Sequence, residues 1–369
     1  MIPFSESELQ IVGQHLTTKC LGPFPGATFQ IPKYNTPITP KENVRRCVDR
    51  GEALWFPLSR DFCDFEPRIN EDTVARALII DMEEAPPDDT RGGFDFFGVE
   101  WVYVPEAGGC MPKPGNKPLL EDVNDWPEVV HFPDIDALDW DRCAEVNRVL
   151  SDSERALHTS LLNGLFERLI SFMEFENAAM AIIDDDQTDA IHALFDRLVD
   201  MYINILDHHL AYMKLDGLLM HDDWGSQRAP FFSPNLCREM IAPHLKRFID
   251  YIHSKGLWFE LHSCGLNEMM VPVMIECGVD IWRPQHINDI AMLREQYGDK
   301  IILGLPFPAR VTRDTPDDEL QKLVKDFVAK YAPTFREKPF IVSAFGVDQR
   351  FNEAIYRESR IALSNQPAD

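Results

Sequence analysis

The chain has 369 residues, 45% of them hydrophobic, and a formal net charge of −25. That hydrophobic share supplies a large core and excludes a disordered chain, while no apolar run nears the roughly 20 residues a bilayer-crossing helix needs. The acidic balance argues against binding a nucleic-acid backbone or an anionic membrane surface, leaves a small-molecule pocket free to oppose the global sign, and favours approach by a partner protein with a basic docking face.

The opening, Met1-Ile2-Pro3-Phe4-Ser5-Glu6-Ser7-Glu8, has neither the basic nor the apolar segment of a secretory signal, so the expected compartment is the cytoplasm. Eight cysteines stand singly, with no Cys-x-x-Cys pair, as in a protein whose thiols stay reduced and buried. Residues 1–50 read as an N-terminal extension with one or two helices, proline-rich after Leu21. A strand is expected near Ala53–Pro57, with Arg60 and Asp61 at its end. Residues 51–150 are loop-heavy, with turn signals at Pro86-Pro87, Gly92-Gly93, Gly108-Gly109 and Met111-Pro112-Lys113-Pro114-Gly115. The aromatic cluster Phe94, Phe96, Phe97, Trp101 and Tyr103 among them is either a cover over a core edge or the wall of a ligand site.

From residue 151 the pattern turns regular. A strand over Ala156–Leu161, carrying His158, precedes a helix from Gly164 to Met173. A long helix runs from Thr188 to Met213, with Ile191, Leu194, Phe195, Leu198, Tyr202 and Ile205 at three- and four-residue steps. A strand over Gly217–Met220 ends in His221-Asp222-Asp223-Trp224-Gly225. Ser233 and Pro234 read as the N-cap and first residue of one helix that ends at Gly256. The strand of His262 follows. Further helices are expected over Glu268–Glu276, Ile287–Tyr297, Thr315–Tyr331 and Asn352–Leu363. They alternate with strands over Val279–Trp282, Ile301–Gly304 and Phe340–Ser343.

Such alternation specifies a parallel sheet. Seven or eight units favour a closed (β/α)8 TIM barrel over residues 51–369, as one catalytic unit, rather than an open doubly wound sheet; no Gly-x-Gly-x-x-Gly opens a helix. In a barrel, chemistry sits at the carboxyl ends of the strands. Polar residues gather there: Arg60-Asp61, His158, His221-Asp222-Asp223, His262 with Cys264, and Gln285-His286.

Residues two apart on a strand share a face, so His262 and Cys264 project together. Imidazole and thiolate suit Zn²⁺, but two ligands do not complete a site, and the same pair serves in a pocket without metal. Asp222 and Asp223 face opposite ways, so one lines the pocket and the other caps a turn or helix. His221 reads as a core histidine or as a catalytic group. Trp224 and Gln227 read as a clamp on an aromatic ring and its polar substituent, or as loop packing.

The segments Asp222-Asp223-Trp224-Gly225-Ser226-Gln227, Phe232-Ser233-Pro234, His262-Ser263-Cys264-Gly265 and Glu276-Cys277-Gly278-Val279-Asp280 resemble the uroporphyrinogen decarboxylase superfamily. So do Phe94-Asp95-Phe96-Phe97-Gly98-Val99-Glu100-Trp101 and Leu161–Asn177. The likeness spans roughly residues 50–360 and is nearer to the corrinoid-dependent methyltransferase branch, which includes methylcobalamin:coenzyme M methyltransferases and O-demethylating methyltransferases. It implies a TIM barrel and a zinc held by His262, Cys264 and a later cysteine. At that later turn this chain reads Ser343-Ala344-Phe345-Gly346, with Phe345 at the cysteine position. The third ligand is then sought among Glu260, Asp222, Asp223, Cys277 and Glu100, and an oxygen ligand is expected. The decarboxylases' arginine-bearing N-terminal signature is absent, with Arg60 alone kept.

The resemblance implies methyl transfer between a small methylated substrate, O-methyl and in one version aromatic, and the cobalt of a corrinoid protein. No cobalamin-domain signature is present, so the methylcorrinoid arrives on a partner. Asp222, Asp223 and His221 are the expected acid or substrate-contact groups; Arg60, His158, Trp224, Gln227, Gln285 and His286 are the expected substrate contacts. Porphyrinogen decarboxylation and a non-catalytic ligand-binding barrel are the alternatives, and a homodimer is an open option.

Overall fold

A computed structural model describes residues 2–15, 31–65, 92–105, 109–312, 314–343 and 349–364. Strands β1 (Ile11–His15) and β2 (Ile31–Tyr34) form an antiparallel pair ahead of α1 (Pro40–Val48) and β3 (Phe62–Phe65). Strands β4 (Gly92–Phe94), β5 (Glu100–Val104) and β6 (Gly109–Pro112) form a separate antiparallel sheet. Short helices α2 (Trp126–Val129) and α3 (Trp140–Asn147) follow. The regular part comprises β7 (Ala156–Leu161), α4 (Leu165–Met173), α5 (Phe175–Ala181), α6 (Thr188–Tyr212), β8 (Gly217–His221), α7 (Pro234–Met240), α8 (Ala242–Ser254) and β9 (Trp258–Ser263). It continues through α9 (Val271–Cys277), β10 (Ile281–Pro284), α10 (Ile290–Tyr297), β11 (Ile302–Pro306), α11 (Asp317–Tyr331), β12 (Phe340–Ser343) and α12 (Gln349–Ser364).

Seven strands form one curled parallel sheet in the order β12-β11-β10-β9-β8-β7-β3. The closed eight-stranded barrel expected from the alternation is not present: a single bridge, Leu58 to Val342, links the two edges among the described residues. The missing ladder has a local cause. The segment expected as a strand at Ala53–Pro57 satisfies its backbone elsewhere. Asn43 accepts from the N–H groups of Leu54 and Trp55 and donates to the Trp55 carbonyl, and Ser359 accepts from Phe56. Pro57 has no N–H to extend pairing along β12, and its carbonyl takes only the N–H of Val342. The paired strand starts five residues later, at Phe62.

The six later strands lie where the apolar runs put them, because each run is bounded by turn residues. Period-two alternation sorts their side chains. Leu157, Leu161, Leu218, Met220, Phe259, Leu261, Leu303 and Val342 face outward into the main core with the helices. Phe62, Ala156, Trp258, Ile281, Ile302 and Ile341 face inward and, with Val44 of α1, plug the amino end of the curl. The single helix expected from Pro234 to Gly256 is two, broken at Ile241 (φ −111°), because Pro243 lacks the N–H that would continue the ladder.

The β4–β6 sheet is fastened to α4 by a fully buried ion pair, Arg168 Nη1 to Asp95 Oδ2 at 2.7 Å. Asp95 also accepts from Phe97 N, Val99 N and Trp101 Nε1, so burial leaves its charge well satisfied. Phe97 and Trp101 are buried in this junction while Phe94 is exposed. Most of the aromatic cluster is therefore cover over the core. No described helix is long and apolar enough to cross a membrane.

Candidate functional site

Burial changes along each strand toward its carboxyl end. On the inner face Ser160, Leu219, His221, His262, Arg283 and Ser343 are all partly accessible, while their outward neighbours Leu161, Met220, Leu261, Trp282 and Val342 are buried. The carboxyl end of the curl is thus an open cavity, and its amino end is packed shut.

Asp223, His262 and Cys264 meet in that cavity, with one ligand atom from each within 4.8 Å of the others. His262 Nε2 lies 3.2 Å from Cys264 Sγ. Its Nδ1 lies 2.9 Å from the Arg283 carbonyl, which only accepts, so Nδ1 carries the proton and Nε2 is left as a ligand atom. Asp223 Oδ1 accepts from the Cys264 N–H at 2.6 Å, which ties the turn after β8 to the turn after β9. Imidazole, thiol and carboxylate, with a backbone carbonyl orienting the imidazole, fit a zinc ion that keeps an open position. Cys264 differs from the other described cysteines, Cys47, Cys63, Cys110, Cys143, Cys237 and Cys277, which are all buried. Burial pushes the thiols of Cys47, Cys143 and Cys277 up to about 12, unsuited to metal binding.

The turn that carries Cys264 is built from close backbone approaches. Gly265 (φ +102°) stands where a Cβ would come within 2.3 Å of Gly225, so both its conformation and its space require glycine. Asn267 donates to the Cys264 carbonyl at 2.6 Å and to Ser263 Oγ, and Asn288 donates to the Gly265 carbonyl. Gln285 accepts from Gly265 N and from Gln227 Nε2, both at 3.0 Å, on the rim. His286 is exposed beyond it.

The neighbouring carboxylates part company. Asp222 turns away from the cavity and is buried, accepting from Glu167 N at 2.9 Å, Phe166 N and Trp224 Nε1. It caps α4, whose amino end carries positive partial charge. Gly164, before α4, leaves it room: a Cβ there would lie 2.3 Å from Asp222 Cβ. Burial pushes the Asp222 carboxyl up to about 6, against the opposing pull of these donors. His221 stays on the inner face, its ring 4.7 Å from that of His262.

Three expected substrate contacts are corrected. Trp224 is fully buried, donating from Nε1 to Asp222 and from its backbone to Ser263 Oγ, so it packs the loop and presents no ring to a ligand. Arg60 precedes β3 rather than following a strand, which places it at the opposite end of the sheet, over the Tyr34 ring. His158 is buried below the cavity against Glu260, at 3.1 Å. Of the other candidate ligands, Cys277 ends α9 with its thiol toward the Ala242 carbonyl, and Glu100 pairs with Lys113 on the small sheet. Glu260 lies one pleat below His262 on the same face, fully buried. Phe345 lies outside the described residues.

One residue that the sequence reading did not single out completes the inner layer. Arg283 sits directly across from His262 in register and bonds through Nε to Glu260 Oε2. Glu260 also accepts from Trp258 Nε1 at 3.0 Å. Burial alone would raise the Glu260 carboxyl, but Arg283 and His158 outweigh it and hold the group below the usual range. An arginine between Trp282 and Pro284 gives no motif; only the register with β9 exposes its place.

The family model described as uroporphyrinogen decarboxylase (URO-D) matches residues 98–346. No curated protein matches the chain. Among solved structures, an intracellular xylanase from Thermoanaerobacterium saccharolyticum is 11% identical, with 79% of this chain and 85% of that chain covered and a TM-score of 0.36. A chitinase from Chromobacterium violaceum is 10% identical, with 60% and 84% covered and a TM-score of 0.33. A D-psicose 3-epimerase from Clostridium cellulolyticum is 12% identical, with 66% and 85% covered and a TM-score of 0.29.

Proposed function

The chain belongs to the uroporphyrinogen decarboxylase family, and from that membership we propose that it is a methyltransferase which moves a methyl group from a small O-methyl substrate to the cobalt of a separate corrinoid protein. The observation that carries the proposal is the convergence of Asp223, His262 and Cys264 at the open end of the sheet. These three residues would hold zinc, with Asp223 as the oxygen ligand. Zinc bound there would supply Lewis acidity toward an ether oxygen.

The chain's own groups account for the rest. The reaction breaks the bond between methyl carbon and oxygen; the methyl group goes to the reduced cobalt of the partner, and the oxygen takes a proton. His221, in the cavity beside His262, is placed to hold that proton, whereas Asp222 is sealed behind α4. Trp224, Ser263, Asn267 and Asn288 fix the two turns on which the ligand atoms sit. The acidic surface suits a corrinoid protein with a basic docking face.

Porphyrinogen decarboxylation has less support. A polycarboxylate asks for several cations, and Arg60, the arginine kept from that signature, stands at the wrong end of the sheet. The test is zinc stoichiometry, together with methyl transfer to a reduced corrinoid protein, for wild type, Asp223→Ala, His262→Ala and Cys264→Ala. We expect stoichiometric zinc and transfer in the wild type and loss of both in each variant. Full transfer in the three variants would remove the metal-centred reading.

A further inference from the structure

Arg283 is the one permanent cation on the inner face of the described sheet strands. In a chain of net charge −25 its presence needs a reason. Its partner Glu260 does not consume it. Glu260 engages Nε, the side of the guanidinium, and divides its own oxygens among Arg283, His158 and Trp258. The Phe62 ring supports the guanidinium at 4.9 Å from its centre. Among the described residues neither Nη nitrogen, the end of the fork, has a hydrogen-bond partner; Nη2 is buried and unsatisfied. A buried donor left unpaired is destabilising, and such groups are rare in folded proteins unless something else satisfies them. The side chain still keeps 25% of its surface accessible, and the residue stands opposite His262 on the neighbouring strand. Gly304, the nearest inward residue of β11, adds no side chain over it.

A guanidinium held at Nε, with Nη2 unpaired and part of the side chain accessible one strand away from the candidate metal ligands, suits a carboxylate. We propose that Arg283 is the specificity-determining residue of this cavity and that the methylated substrate carries a carboxylate received by its guanidinium. This rests on the methyl-transfer reading for the word methylated, and on the arrangement of Glu260, Phe62 and Arg283 for the carboxylate. Adjacent strands stand ~4.8 Å apart, so a substrate bridging Arg283 and the His262 ligand atom is small, a few bonds from methoxy oxygen to carboxylate.

The experiment measures binding to the zinc-loaded full chain by calorimetry, without corrinoid protein. The probes are methoxyacetate and 4-methoxybenzoate against the neutral ethers 2-methoxyethanol and anisole. In the wild type the carboxylated probe of each pair should bind more tightly. Arg283→Gln should weaken the carboxylated probes by about 10- to 100-fold and leave the neutral ones unchanged. Arg283→Lys, which keeps the charge and loses the fork, should fall between. Equal binding of charged and neutral probes by the wild type would overturn the proposal, as would an Arg283→Gln protein of unchanged zinc content that keeps its preference. The wild-type comparison decides the matter even should Arg283→Gln fail to fold. Stronger competition by inorganic phosphate than by acetate would overturn the carboxylate assignment. Carboxylate preference without any methyl transfer would reject the transfer reading and leave Arg283 in its role.

Discussion

The two ends of the inner face are made by the same strands and differ in everything but backbone. At the amino end Phe62, Trp258, Ile281, Ile302 and Ile341 pack against Val44 and exclude water. At the carboxyl end, two to four residues further along, the inward positions become His221, His262, Arg283 and Ser343, all partly open. Between them lies a buried polar pair, His158 and Glu260, with the partly open Arg283 above it. Stability and chemistry are thus separated along each strand, and Glu260 is the hinge between the two: its carboxylate is bonded from below by Trp258 and from the side by Arg283.

If that division holds, damage at the packed end should be read in stability and damage at the open end in ligand binding. The largest effect is expected from Trp258→Ala. Truncating a buried tryptophan costs about 3–5 kcal/mol, and this one also bonds Glu260. Urea unfolding should show that loss while zinc binding per folded molecule is retained. A Trp258→Ala protein of normal stability that no longer binds zinc would break the division.

Glu260→Gln comes next, at about 2–3 kcal/mol, because hydrogen bonds to a charged group are lost and Arg283 is left beside a buried neutral amide. The sign with pH follows from its depressed carboxyl. The native state releases the proton more readily than the unfolded chain, so the contribution is complete above the ordinary glutamate value and fades as pH falls below it. The gap between wild type and Glu260→Gln should therefore be wide at pH 7 and narrow at pH 3.5 in paired denaturation curves.

The same contrast explains what could be read from the sequence. The strands β7 to β12 and most helices were legible because apolar period and turn residues are local signals, and all of them are strong from residue 151 onward. That no paired strand forms near residue 55 was not, because the groups that satisfy the backbone there, Asn43 and Ser359, lie 12 and about 300 positions away. Arg60 was misplaced with it. Period two says that only one of Asp222 and Asp223 enters the cavity; which one does is decided by α4, whose free N–H groups draw Asp222 outward. The convergence of Asp223 with His262 and Cys264, and the place of Arg283 beside them, are matters of register between neighbouring strands, and no single-strand pattern carries register.

Charge in the two buried layers sharpens the comparison further. On the inner face Glu260 stays charged despite its burial, because Arg283 and His158 pair with it. On the outer face His209 of α6, against Thr159 of β7, is fully buried and kept neutral: burial first, then the neighbouring His208, lower it to about 3. A histidine depressed in the folded state binds its proton only when unfolded, so its contribution is full above its ordinary value near 6.5. That contribution is lost as pH falls, at about 1.4 kcal/mol per pH unit over the interval down to the folded value. Between pH 6 and 5 wild type should lose roughly 1 kcal/mol more than His209→Gln. Parallel stability–pH curves for the two proteins would show that His209 titrates normally.

The smallest effect on stability is expected where the proposed chemistry is. Cys264 is partly exposed, its turn is held by Gly265, Asn267 and Asn288, and its thiol lies beside His262. Cys264→Ser removes one soft ligand and fills nearly the same space. The metal-free variant should unfold within about 0.5 kcal/mol of the metal-free wild type, as surface-accessible changes do. Zinc separates them. An ion that binds only the folded state stabilises it by about 2.7 kcal/mol when supplied at 100 times its dissociation constant, so wild type should gain and Cys264→Ser should gain little at the same zinc concentration. An equal gain in both proteins would place any zinc elsewhere and return His262 and Cys264 to the role of a strand-end pair without metal.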